Sequence, residues 1–174
     1  GIDCGFETAD SYVYTTDEPR KIEKEIITLD KIGFKADFCK ETELPIFTAG
    51  AVRFPKQAKF NPLKFLSALS DGLEIYENSR VKELKGLTAV TDSGSIKAKK
   101  IIVATHFPII NKHGLYFMKM YQKRSYVSAF ENALTLKGMY RDEADSGFSF
   151  RSDGGLLIVG SASARTGRKT AGSP

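Results

Sequence analysis

The stretch Lys97-Ala98-Lys99-Lys100-Ile101-Ile102-Val103-Ala104-Thr105-His106-Phe107-Pro108 constrains this chain most, because a compact apolar run stops abruptly at a small, polar, proline-ended turn. Side chains of a strand alternate between its two faces, so a strand through Ile101, Ile102 and Val103 needs cover on both sides. That is the signature of a parallel sheet inside an α/β layer. Ligands of such sheets sit just outside the carboxyl ends of the strands. Ala104 and Thr105 are small enough there to let the backbone approach a bulky ligand.

A chain of 174 residues is long enough for one domain with a real core, or for two small lobes sharing one. No apolar run approaches the roughly 18 residues that a membrane-spanning helix needs, so no membrane partner is expected. The amino end, Gly1-Ile2-Asp3-Cys4-Gly5-Phe6-Glu7, has neither a basic-then-apolar signal pattern nor a Met, and reads as an excised piece of a longer chain. Cys4 and Cys39 lie too far apart for a Cys-x-x-Cys pair, and no His stands near either at metal-ligand spacing. The expectation is no metal, reduced buried thiols and a cytoplasmic setting. The net charge of +5 is spread along the chain, with one cluster from Arg165 to Lys169.

Strands are expected from Phe6 to Tyr14, Phe34 to Cys39 and Ala49 to Pro55, with a helix from Arg20 to Ile32 whose Ile22, Ile26, Leu29 and Ile32 recur at helical spacing. Thr16 or Asp17 would cap that helix, Pro19 would sit in its first turn, and Gly33 would end it. Asn61-Pro62 opens a second helix over Leu63 to Ser70. Strands at Leu73 to Glu77, Ser79 to Leu84 and Thr88 to Thr91 follow, and Asp92-Ser93-Gly94-Ser95 turns back into Ile96. Tyr116 to Phe130 alternates aromatic, Met and basic residues and reads as one long antiparallel strand. Strands at Gly138 to Arg141, Phe148 to Arg151 and Leu156 to Val159 complete the pattern, the last two joined across Ser152-Asp153-Gly154-Gly155, before a frayed end from Ser161 to Pro174.

Several segments also carry a resemblance. Phe60 to Leu69 is similar to a Pro-Leu helix, Glu74 to Val81 to an adenine-side strand, and Lys100 to His106 to a strand end written a-x-x-v-v-A-t-G. Phe148 to Gly160 resembles a later hairpin, and Arg165-Thr166-Gly167 the step that follows it. In this order they resemble the FAD-dependent oxidoreductases of the D-amino-acid oxidase and glycine oxidase type. The resemblance implies an α+β chain, part of an FAD-binding α/β layer interleaved with an antiparallel substrate-domain sheet. The sheet with its helix would take 1–58 and 110–162, the FAD-binding part 59–109, and a flexible tail 163–174.

It further implies a central fragment of an enzyme that oxidises an amine, amino acid or 2-hydroxy acid by hydride transfer to FAD. The Val81 backbone would lie beside the adenine, and Ala104, Thr105 and His106 would approach the dinucleotide. For His106 the alternative is a polar strand-end residue bonded to the next loop, and His113 reads as a surface-loop residue. Candidates to hold an anionic substrate are Arg53, Arg124, Arg151 and Arg165, since a guanidinium binds a carboxylate through two parallel hydrogen bonds. Gln57 and Tyr126 would face the substrate by the same resemblance, and no catalytic base is identified.

No Gly-x-Gly-x-x-Gly occurs, so the fragment alone is expected to hold no FAD and to be inactive. Gly155 to Gly160 has phosphate-loop spacing without the Lys-Ser/Thr that must follow, and no Gly-x-Ser-x-Gly elbow supports hydrolysis. The competing class is a non-catalytic basic module engaging nucleic acid, because Tyr116 to Tyr126 can be a stacking platform as well as a strand with one buried face. The first reading needs a small-molecule partner and no nucleic acid.

Overall fold

A computed structural model describes residues 1–106, 115–145 and 147–166. In chain order these form β1 (Glu7–Thr15), α1 (Arg20–Lys31), β2 (Asp37–Cys39), β3 (Gly50–Lys59), α2 (Pro62–Ser70), β4 (Glu83–Lys85), β5 (Thr88–Val90), β6 (Ser95–Lys97), α3 (Tyr116–Lys119), β7 (Lys123–Phe130), β8 (Met139–Asp142), β9 (Ser149–Asp153) and β10 (Leu156–Arg165). The chain divides into two compact units, residues 69–122 and the remainder on either side of them. The class is α+β, with no described helix long and apolar enough to cross a membrane.

The larger unit is built on one sheet in the order β2-β3-β1-β8-β9-β10-β7, antiparallel throughout except where β1 runs parallel to β8. Its registers decide which side chains share a face. Tyr12 opposes Tyr140, Tyr140 opposes Phe150, and Tyr14 opposes Ala51, so these lie together on one side. That side is the core, where Tyr14 and Ala51 have no exposed surface and Leu44 and Leu136 close over them from the loops.

Polar groups pin the closing loops. The Tyr140 hydroxyl donates to Glu43 Oε2 at 3.1 Å, and the Lys137 N–H donates to the same oxygen at 2.9 Å. The Leu136 N–H donates to Ser152 Oγ at 2.8 Å, and the Tyr14 hydroxyl donates to the Phe148 carbonyl at 2.9 Å. Tyr12 and Tyr140 stack with ring centroids 4.6 Å apart. A side chain at Gly138 would meet the Tyr12 ring at 2.6 Å, which is why the strand enters the sheet on a glycine.

Ile22 of α1 is buried, while Ile27 and Ile32 are exposed, so the helix buries one narrow stripe. Its N-cap is Pro19 with no side-chain cap, and the Thr15 hydroxyl instead accepts the Asp17 N–H, so neither Thr16 nor Asp17 has the expected role. Asn61 Oδ1 accepts the N–H groups of Leu63 and Lys64 at 3.0 and 3.1 Å and caps α2. In the smaller unit β4, β5 and β6 form an antiparallel meander, with Lys82 ion-paired to Asp92.

Several expectations are corrected. Residues 101–105 form no strand, and Ile102 is 89% exposed. An apolar run becomes a strand only where neighbours accept its ladder of hydrogen bonds, and no described strand lies beside it. Leu73 to Glu77 is likewise not a strand, Ser79 to Leu84 contributes only the start of β4, and Phe34 to Cys39 only β2. Tyr116 to Phe130 is α3 followed by β7, because Leu115 takes a left-handed turn and the Met120 N–H bonds back to Tyr116. β10 runs on through Arg165, held against β7, where a frayed end is expected from Ser161. Phe107, Pro108, His113 and Gly167 lie outside the described residues.

Candidate functional site

The sheet face opposite the core is open over much of its width, and Arg141 stands in the middle of it. Tyr140 before it and Asp142 after it are buried, so strand alternation turns Arg141 outward. Arg141 opposes Val13 on β1 and Ser149 on β9. It lines two adjoining hollows, one of about 370 Å³ with Ile22 and Phe54, the other of about 340 Å³ with Lys123, Val127 and Ser149. A third, of about 320 Å³, carries Met139, Arg151 and Ile158.

The acids around the second hollow are occupied. Lys123 Nζ reaches Asp145 at 3.2 Å, and Asp142 Oδ1 accepts the Ala144 N–H at 2.9 Å. On the side of the first hollow Lys21 Nζ reaches Glu143 at 2.7 Å, a bond that raises the Lys21 pKa. Glu25 also lines that side, whereas Arg141 has no hydrogen-bond or ion-pair partner among the described residues. An exposed guanidinium, set in a concave surface with Ser125 and Ser149, suits a carboxylate ligand.

The residues singled out from sequence fall into separate places. Arg53 lies on the core side, its Nη2 and Nε at 2.7 and 2.8 Å from Asp10 Oδ2, with Asp37 at 3.6 Å from Nη1. The Asp10 bond raises the Arg53 pKa, and Arg53, with the Lys56 N–H, holds the Asp10 carboxyl below the usual range. Gln57 is exposed on β3 and donates to the Pro55 carbonyl at 3.2 Å. Arg151 shares the open face with Arg141 through the β8–β9–β10 register. Arg124 and Tyr126 alternate to the other face of β7, and Arg165 stands opposite Lys123.

The Arg53–Asp10 fork has a measurable consequence. A carboxyl whose folded pKa is depressed stabilises the fold above its unfolded pKa, and that stabilisation is lost as pH falls through the folded value. Urea-unfolding midpoints of the wild-type protein should therefore decline as pH drops below the ordinary carboxylate range. Arg53→Met should flatten that decline, and equal slopes would show that the fork carries no linkage.

In the smaller unit Val81 is half-buried, while Ala104, Thr105 and His106 are exposed, with His106 at φ 60°. The described residues do not by themselves fit the pyrophosphate of a dinucleotide. That group needs free amides at a helix N-terminus, and Asn61 already occupies those of α2. α1 opens on Pro19 after a turn without glycine. Among the described residues no group of three or more His, Cys, Asp or Glu is placed to hold a metal.

Arg141 was missed from sequence because residue type alone does not separate it from the other arginines. The available signal was parity, since a strand from Gly138 to Arg141 with Tyr140 inward must send Arg141 outward.

Comparison with known proteins identifies the family. Residues 1–174 match the family described as FAD dependent oxidoreductase. A Bacillus subtilis protein, YhfW, named as a candidate Rieske 2Fe-2S iron-sulfur protein, is 35% identical over 151 residues, covering 80% of this chain and 30% of that protein. Glycine oxidase from Geobacillus kaustophilus superposes with a TM-score of 0.76 at 18% identity, over 99% of this chain and 53% of that one. L-proline dehydrogenase from P. horikoshii superposes at 0.66 with 16% identity, over 97% and 52%. The chain thus spans about half the length of these solved structures and less than a third of the curated relative. At such identities the solved structures show the fold alone.

Proposed function

Since this chain belongs to the family of FAD-dependent oxidoreductases, we propose that its seven-stranded sheet holds the substrate of a flavin-dependent oxidation of an amino acid, another amine or a 2-hydroxy acid. The observation that carries this reading is Arg141, a guanidinium with no partner among the described residues, on the open face where two hollows meet. It would grip a substrate carboxylate, with Arg151 on the same face as a second cation. The solved relatives, named as glycine oxidase and L-proline dehydrogenase, act on small amino acids, and that size suits hollows of about 320 to 370 Å³.

Val81, Ala104, Thr105 and His106 are assigned to the edge of the cofactor. The exposure of the last three residues, with small side chains at Ala104 and Thr105, supports that assignment. The pyrophosphate turn would come from outside these 174 residues. The curated relative's name supports a Rieske-type [2Fe–2S] cluster in the whole protein. Cys4 and Cys39 are free thiols, which suits a reducing cytoplasm.

The test is optical. The purified whole protein should be yellow, and anaerobic addition of an amino acid, amine or 2-hydroxy acid should bleach the flavin band. The stretch of residues 1–174 alone should be colourless and without turnover, because it lacks a glycine-rich phosphate turn. A colourless whole protein retained by nucleic acid in a salt-sensitive way would instead select the basic binding module.

A further inference from the structure

The first hollow holds more charge than a carboxylate anchor requires. Lys21 and Glu25 line it from α1, and Arg141, Asp142 and Glu143 from the end of β8 and the residue after it. Lys21 and Glu143 neutralise each other, with Nζ and Oε1 2.7 Å apart. Lys21 stands one helical turn before Glu25 and is the cation that an i, i+4 pairing would bring to it. The bond to Glu143 draws it away, and Glu25 has no hydrogen-bond or ion-pair partner among the described residues.

Asp142 is the second uncompensated acid. It is 8% exposed, and its Oδ1 accepts the Ala144 N–H at 2.9 Å. No described residue donates to its Oδ2. Buried polar groups are as a rule bonded, and a buried carboxylate without a cation is costly. With Lys21 and Glu143 cancelled, the hollow presents one cation, Arg141, and two anions, Asp142 and Glu25.

We propose that the first hollow selects an amino acid with a basic side chain. This rests on Arg141 as the anchor of the substrate carboxylate and adds two acids to it. Asp142 faces the α-ammonium group, and Glu25 faces the cation at the end of the side chain. The charges match in number and in order. Arg141 and Asp142 are neighbours in the chain, as carboxylate and ammonium are neighbours on one carbon, while Glu25 stands on the helix wall. Val13, Ile22 and Phe54 line the same hollow and give the methylenes between the charges an apolar surface to lie along.

The second hollow offers no such complement. Its Lys123 and Asp145 are paired at 3.2 Å, which leaves only the Arg141 and Asp142 that it shares with the first. A neutral side chain in the first hollow leaves Glu25 without a partner, and an acidic one sets like charges against each other.

The test is steady-state kinetics of the whole protein at neutral pH, on substrates that differ in the terminal charge. Lysine, norleucine and Nε-acetyl-lysine form such a set. The wild type should favour lysine in kcat/KM by about 5- to 10-fold over the other two, between the values for an exposed ion pair and for a hydrogen bond to a charged group. Glu25→Gln should abolish that preference by raising KM for lysine, and leave norleucine unchanged. Glu23→Gln, exposed on the same helix and outside the hollow, should keep the preference, which separates a contact from a general field. Neither side chain has a described partner to lose, so both variants should unfold at the wild-type midpoint. A wild-type protein that oxidises norleucine through Arg141, losing the activity in Arg141→Leu, and yet does not prefer lysine would overturn this inference and leave the carboxylate anchor in place. So would a lysine preference that survives Glu25→Gln, or one that Glu23→Gln removes as completely. Oxidation of norleucine untouched by Arg141→Leu, or no oxidation of any of the three, would remove the anchor and the inference together.

Discussion

Replacing Tyr14 by Ala should lower stability by about 3–5 kcal/mol, the range for emptying a buried aromatic site. For a domain of this size that is a fall of about 6–20 °C in Tm. Tyr14 has no exposed surface and packs with Leu44, Ala51, Leu136 and Tyr140, so its loss opens a cavity at the centre of the core. Burial, with the Asp142 charge adding to it, pushes the phenol pKa well above its usual value. The hydroxyl therefore stays a donor across the working pH range.

Tyr14→Phe separates packing from hydrogen bonding. The Phe148 carbonyl that Tyr14 reaches also accepts the Asp142 N–H at 2.9 Å, so it keeps a partner when the phenol is removed. The expected cost is only about 0.5–1.5 kcal/mol. Thermal unfolding followed by circular dichroism reads both variants. Equal losses for Phe and Ala would mean that the bond, and not the ring, holds this part of the core.

What could be read from sequence follows from how local each determinant is. The β9–β10 hairpin was visible because Gly154 and Gly155, both at positive φ, supply a turn that other residues take up with difficulty. β1, β3 and α1 were visible because side-chain alternation and helical spacing are written into consecutive residues. Ile101 to Val103 failed for the opposite reason, since an apolar run says that a strand is wanted but not that a neighbour is present. The same distinction governs the arginines. Arg53 and Arg141 are both arginines on strands, yet the register turns one toward Asp10 and Asp37 and the other toward an open hollow. Residue type sets what a side chain can bind, and only strand pairing sets what it meets.

That contrast separates two arginine substitutions in the whole protein. Arg141→Leu should lower kcat/KM for a carboxylate-bearing substrate by about 10- to 150-fold, the equivalent of about 1.5–3 kcal/mol for hydrogen bonds to a charged group. Most of the change should fall on KM if the guanidinium holds the carboxylate equally before and during the reaction. Arg141→Lys should recover only part of the loss, because an ammonium keeps the charge but not the planar pair of donors. An amine substrate without a carboxylate should be nearly indifferent to both changes. Stability should hold in each case, since Arg141 is exposed and has no described partner to abandon. Arg53→Met should do the reverse, moving the unfolding midpoint while leaving KM in place, because its guanidinium is held by Asp10. Steady-state kinetics on a paired amino acid and its decarboxylated amine decide the matter. If Arg141→Leu weakens both substrates alike, or neither, the carboxylate is held elsewhere and the open face of this sheet is not the binding surface.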